Sequence, residues 1–317
     1  MTHPFTVPPA LQPGDTIAIV SPATIVRSEY IDGAAEMLKA KGFKVRIMPH
    51  AKGPAAGSYA AEDAARAADL KSAWEDPIVK AILCARGGYG CNHLLYEIDP
   101  KIVKENPKWL IGFSDVSALH AFSARAGVVS LHAPMAKHLA TLPPDHYCTQ
   151  ALIEILTDGL PMEYNVPAHP MNRQGEATGL LIGGNLAVFN GLGSTLFDPF
   201  AIARRAGAAR PILFIEDIAE QIYAVERMLI RMDLSGDLKG LGGIIVGHFT
   251  DYRPDRNFQD MESMISALIE RFGLKIPVAF GFPAGHTDDN LPLALGSQAT
   301  LRVTPQSVTL RMSSHIQ

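Results

Sequence analysis

The feature that most limits the fold of this chain is an alternation in its first half. Short apolar runs are separated by longer stretches whose apolar residues recur at helical spacing. The runs are "TIAIVS" (16–21), "FKVRIM" (43–48), "VKAILCA" (79–85) and "KWLIGF" (108–113). Each has the length of a strand, and they read as strands buried on both faces, although "FKVRIM" carries Lys44 and Arg46. Between them "SEYIDGAAEMLKAKG", "AAEDAARAADLKSAWED" and "GCNHLLYEID" read as helices. Strand and helix in strict turn predict an open, mostly parallel sheet covered by helices.

After about residue 140 the pattern breaks at "TLPPDHY" and "LPMEYNVPAHPMNRQGEATG". The expected organisation is an N-terminal domain over 1–150, a linker over 151–175 and a C-terminal domain over 176–317. In that second half "PILFIED" (211–217), "LGGIIVG" (241–247) and "IPVAFGF" (276–282) predict strands, and "AEQIYAVERMLIRMD" and "FQDMESMISALIERFG" predict helices. The tail "QATLRVTPQSVTLRM" alternates apolar and polar residues around a turn, which predicts an antiparallel hairpin.

Composition narrows the function. A net charge of -4, from 28 basic and 32 acidic residues, gives no electrostatic reason to expect nucleic acid or an anionic membrane as partner. No apolar run approaches membrane-spanning length, and the opening "MTHPFTVPPALQPGD" has prolines where a secretory peptide needs its apolar core. Cys84, Cys91 and Cys148 are too few and too irregularly spaced for a disulfide framework or a zinc knuckle, so reduced thiols and a cytoplasmic setting are expected. His132, His138 and His146 have no metal-ligand spacing, and no H-E-x-x-H is present.

Ligands of doubly wound sheets bind beyond the carboxyl ends of the strands, so the residues just after each strand are the candidates. "ARGGYG" (85–90) is a glycine turn that matches neither the P-loop nor the dinucleotide fingerprint. Ser114, in "IGFSDVSAL", stands between a strand and a helix. Local evidence favours a helix cap there, with Asp115 suiting the helix dipole; the alternative is a nucleophile elbow, although G-F-S-D is not G-x-S-x-G. Glu216 ends an apolar strand, where a carboxylate needs a partner. His286 in "GFPAGHTDDN" and His248 in "IVGHFTD" both follow strands, and spacing does not choose between them. A serine, a carboxylate and a histidine could together serve acyl transfer, with glycine amides as oxyanion donors.

Six blocks in order make the chain resemble the LD-carboxypeptidase family, serine peptidases that trim cytoplasmic cell-wall peptides and include the microcin C immunity peptidases. The blocks are "LQPGDTIAIVSPA", "DPIVKAILCARGGYGCNHLLYEID", "IGFSDVSAL", "GLLIGGNLAVF", "FIEDIAEQIYAVERML" and "GFPAGHTDDNLPLALGSQATL". The resemblance implies a flavodoxin-like N-terminal parallel-sheet domain bearing the elbow and a smaller α/β C-terminal domain, commonly as a homodimer. It implies Ser114 as nucleophile, His286 rather than His248 as base, and Glu216 as the group orienting the imidazole. The oxyanion hole would be the backbone N–H of Asp115 with one from the glycine turn, assigned to Gly88. No metal or organic cofactor is implied. The implied substrate is a small muropeptide ending in D-alanine. The microcin-type branch instead cleaves peptidyl or aminoacyl nucleotides and stacks the base on tryptophans of its C-terminal half, whereas Trp74 and Trp109 both lie in the first half here. Arg86 and Arg227 are candidates for gripping the D-alanine carboxylate. Two rivals are a non-enzymatic small-molecule binding protein and an amidotransferase-like enzyme using Cys84 or Cys91.

Overall fold

The computed structural model describes residues 5–208 and 210–314. The first four residues of the opening stretch and the last three of the expected C-terminal domain lie outside them. The chain divides into two compact units. One comprises Phe5–Leu160 with Asn290–Gly296, the other Pro161–Asp289 with the chain from Ser297 onward.

The first unit holds β1 (Thr16–Val20), β2 (Lys44–Ile47), β3 (Val79–Cys84), β4 (Trp109–Gly112) and β5 (Ser130–His132). They pair in parallel, as the alternation predicts, in the order β5-β4-β3-β1-β2, the flavodoxin-like arrangement that the resemblance implies. β1 and β4 are buried at every position, whereas β2, at the edge, is not. Trp74 and Trp109 are both 0% exposed and belong to this core.

The second unit contributes a seven-stranded sheet. Its strands are β6 (Met162–Pro167), β7 (Gly175–Asn185), β8 (Ile212–Ile218), β9 (Gly243–Thr250) and β10 (Val278–Ala279), followed after residue 296 by β12 (Gln298–Val303) and β13 (Ser307–Ser313). The order is β10-β9-β8-β7-β12-β13-β6. β7 is long enough to serve two partners: its first half pairs antiparallel with β12 and its second half parallel with β8. β12 and β13 form the hairpin, with burial alternating along both strands.

Three expectations need correction. The linker over 151–175 is instead mostly ordered structure: the helix Tyr147–Asp158 runs into it and β6 follows. The apolar residues of that helix recur every three or four positions, and Pro167 is tolerated because β6 is an edge strand. Only Val278–Ala279 of "IPVAFGF" pairs as a strand. Finally, the C-terminal half is not one block, because Leu293–Leu295 forms β11 and pairs antiparallel with β5 in the first unit's sheet.

Candidate functional site

In the first unit the chain leaves β4 through an extended Phe113 and turns sharply at Ser114, whose φ is 65°. A left-handed backbone is unfavourable for any residue with a Cβ, so a serine held there is strained. A 3-10 turn, Ser114–Val116, then leads into the helix Ser117–Arg125, and neither has a side-chain cap. The capping that local sequence favours is therefore not what Ser114 does. Strand, strained serine and helix form the geometry of a nucleophile elbow.

The glycine turn packs against it. A Cβ placed on Gly87 would lie 2.7 Å from Ser114 Cβ, 2.9 Å from its Oγ and 3.1 Å from the Asp115 nitrogen. Only glycine fits there. Gly88 follows, exposed, with φ 108° and lodged against Thr24, whose Oγ1 accepts a hydrogen bond from the Tyr89 N–H at 3.1 Å. Asp115 is buried, and its Oδ2 accepts from the Cys91 N–H at 2.8 Å. Its carboxylate thus serves the first turn of the neighbouring helix Cys91–Glu97 rather than the dipole of its own helix, and it ties the elbow to the glycine turn.

His120, which sequence reasoning missed, braces the elbow from behind. Its Nε2–H donates to the Gly112 carbonyl at 2.9 Å, and its Nδ1 accepts from the Ser130 hydroxyl at 2.9 Å. Burial pushes the imidazole down to about 4, so it is neutral and has one donor and one acceptor, as those partners need. Its place six residues after the serine, in the first turn of the helix that follows, was the available signal. Cys84 and Cys91 are buried free thiols, and burial drives both far above the usual thiol range, which removes them as nucleophiles.

In the second unit Glu216 sits within β8 and is 0% exposed. The ladder to β9 shifts register there, Ile215 facing Val246 but Asp217 facing Phe249, so Gly247 and His248 stand opposite Glu216 alone. Such a bulge re-aims the side chains around it. Glu216 Oε2 meets Nδ1 of His286 at 2.7 Å. A Cβ on Gly285 (φ 131°) would come within 3.1 Å of that oxygen, so glycine lets the 284–286 backbone close over the carboxylate. Oε1 has no hydrogen-bond partner among the described residues.

Next to it, Asp217 accepts from Asn185 Nδ2, Ala187 N and Ile218 N, each at 2.8 Å. Burial, aided by the adjacent Glu216 charge, still raises it to about 6. His248 takes a different place: its backbone N–H donates to Ala284 O at 2.9 Å, and burial lowers its imidazole against the pull of Asp289, Glu262 and Glu216. The histidine bonded to Glu216 is thus His286. The candidates form two groups, Ser114 with Asp115, Gly87 and Gly88 in the first unit and Glu216 with His286 in the second. Arg86 is exposed and donates to Ile25 O, and Arg227 lies over the Tyr223 ring. Neither is drawn into these groups. Among the described residues no cluster of three or more His, Cys, Asp or Glu side chains is placed to hold a metal ion, and no helix is long and apolar enough to cross a membrane.

Comparison with known proteins matches both units. Residues 17–133 match the LD-carboxypeptidase N-terminal domain, and residues 178–301 match the LD-carboxypeptidase C-terminal domain. A Bacillus subtilis protein described as a probable murein peptide carboxypeptidase is 32% identical over 96% of this chain and 93% of its own length. The crystal structure of a muramoyltetrapeptide carboxypeptidase from Oxalobacter formigenes is similar with a TM-score of 0.83 at 29% identity, covering 95% of this chain and 100% of that one. The microcin C7 self-immunity protein of Escherichia coli is 25% identical over 98% of this chain and 96% of its own. Two family domains matched in order, with similarity along nearly the whole chain, show that it belongs to the LD-carboxypeptidases, a family of serine peptidases.

Proposed function

We propose that this carboxypeptidase releases the terminal D-alanine of muropeptide tetrapeptides by hydrolysing the amide bond to the L-centre of the preceding diamino acid. The observation that carries the reading is the strained Ser114 elbow with Gly87 packed on its hydroxyl. The substrate class follows the muramoyltetrapeptide carboxypeptidase to which the chain is similar.

Ser114 attacks the scissile carbonyl while His286 takes the hydroxyl proton. With Nδ1 held by Glu216, the lone pair of the neutral imidazole is on Nε2, the nitrogen that accepts it. The oxyanion is met by the N–H of Asp115 and that of Gly88, each such donor contributing about 2.7 to 4 kcal/mol of transition-state stabilisation. The proton then passes to the departing D-alanine amine, leaving an acyl-enzyme on Ser114. Water, deprotonated by the same imidazole, releases the shortened peptide. Three free thiols accord with a reducing, cytoplasmic setting, and a homodimer is the assembly proposed, to be checked by sedimentation.

A second reading, cleavage of peptidyl or aminoacyl nucleotides, has the similarity to the microcin immunity protein in its favour. Against it, both tryptophans are buried in the first unit, so neither offers a face to a nucleobase. Mass analysis of an LD-linked tetrapeptide and an aminoacyl-nucleotide analogue after incubation tests the two. Loss of one D-alanine from the tetrapeptide is expected; an untouched tetrapeptide rejects the proposal, and cleavage of the nucleotide alone selects the second reading.

A further inference from the structure

Arg66, on the helix Asp63–Glu75, is 1% exposed and spends its whole fork inside the first unit. Nε donates to Ala61 O at 3.1 Å, Nη1 to Gly90 O at 3.1 Å and to Pro22 O, and Nη2 pairs with Asp63. The guanidinium also lies 5.0 Å from the centre of the Tyr59 ring. A buried cation is costly unless its donors are met, and here three main-chain carbonyls and a carboxylate meet four of the five.

The carbonyls it gathers are not arbitrary. Pro22 follows β1 and Gly90 ends the glycine turn after β3, so one guanidinium joins the two loops at the point where the strand order reverses. Gly90 has φ 128°, and a Cβ there would stand 2.9 Å from Arg66 Nη1, so the turn and the cation are in direct contact. One residue later the Cys91 N–H is held by Asp115. The turn is therefore fixed at its far end by Arg66 through a carbonyl and by the elbow through an amide.

We propose that Arg66 is a positioning residue for the hydrolysis: its bond to the Gly90 carbonyl sets the path of residues 86–90, and so the aim of the Gly88 N–H at the developing oxyanion. This rests on the serine-peptidase reading above. Arg66 itself is buried away from substrate and acts only through the turn. A lysine cannot replace it, because a single ammonium cannot span carbonyls that the planar fork reaches from separate nitrogens.

The test is Arg66→Lys, read by steady-state kinetics on the LD-linked tetrapeptide and by amide hydrogen exchange. A misaimed oxyanion donor weakens the transition state and not the ground state, so kcat should fall about tenfold or more with KM little changed. Exchange should quicken at residues 87–91 and stay unchanged in the second unit. Unchanged kcat, or a rise in KM alone, overturns the proposal. If Arg66→Lys does not fold, Asp63→Asn carries the test, since that partner is 42% exposed and lies outside the core. A severalfold fall in kcat at constant KM supports the proposal, and no fall rejects it. Hydrogen exchange does not depend on turnover, so a wild-type protein inert on the tetrapeptide rejects the functional reading alone. Full activity in Arg66→Lys beside an inactive Ser114→Ala rejects the role of Arg66 alone.

Discussion

Oε2 of Glu216 lies 2.7 Å from Nδ1 of His286, and the carboxylate that makes this bond is wholly buried. The pair fixes which ring nitrogen carries the proton. Glu216→Gln keeps the shape but offers an amide where the Nδ1–H needs an acceptor, favouring the wrong tautomer. A loss of kcat of about 10⁴-fold is expected, as for the equivalent change in other triads, with KM little moved. A loss below tenfold would show that the pair does not orient the base.

Ser114 is held at φ 65°, where glycine is at ease and serine is not. Ser114→Gly should therefore unfold at higher denaturant than Ser114→Ala, by about 1 kcal/mol, while both variants lose turnover. Retained hydrolysis by either would turn the reading toward a binding protein with incidental activity elsewhere.

Gly87→Ala places a methyl group 2.7 Å from Ser114 Cβ, closer than such atoms approach. Relief requires moving the serine or the turn. Overpacking of this kind costs about 1–3 kcal/mol of stability, and a displacement near 1 Å at the reacting group costs roughly 10²-fold in turnover. Unfolding curves and kcat measured together on this variant check both figures.

His248 is the imidazole that sequence spacing could not separate from His286. Because Glu216 bonds His286, His248→Gln is expected to keep kcat within a fewfold, and His286→Gln to abolish it. The reverse pattern would reassign the base.

Two buried groups give stability opposite dependences on acid. His120 falls to about 4 from 6.5 in the folded state, so the unfolded chain protonates first and stability is lost as pH drops from 6.5 toward 4. Asp217 rises to about 6 from 3.8, so the stability it confers in acid is lost as pH climbs through 6. The two slopes oppose each other and flatten the profile. In His120→Asn the Asp217 slope is opposed by His248 but no longer by His120, so between pH 4 and pH 6 urea midpoints should fall more, or rise less, than in wild type. A profile parallel to wild type would count against the His120 assignment.

The first unit was legible because its strands are self-declaring: "TIAIVS" or "KWLIGF", buried on both faces, need no knowledge of their partners. Chain segments whose identity depends on distant pairing were not. β5 has three residues and β11 another three, and neither is a strand except against the other and β4. Ser114 was visible as a candidate but undecided, because a cap and an elbow share the same letters and differ only in the sign of φ. Glu216 was found through the cost of burying a carboxylate, while the bulge around it arises from register between strands far apart in sequence. His120 and Arg66 escaped notice because their roles lie in main-chain carbonyls, which leave no trace in side-chain pattern.

The antiparallel pairing of Leu293–Leu295 with Ser130–His132 means that no single scission of the polypeptide yields two self-sufficient pieces. A fragment stopping near residue 160 would leave β5 with an open row of amides and carbonyls, a ready template for another chain. The late segment works as a sealing stave for a sheet begun far upstream, so folding of the first unit can finish only after residues 290–296 have followed the strands of the other unit out of the ribosome.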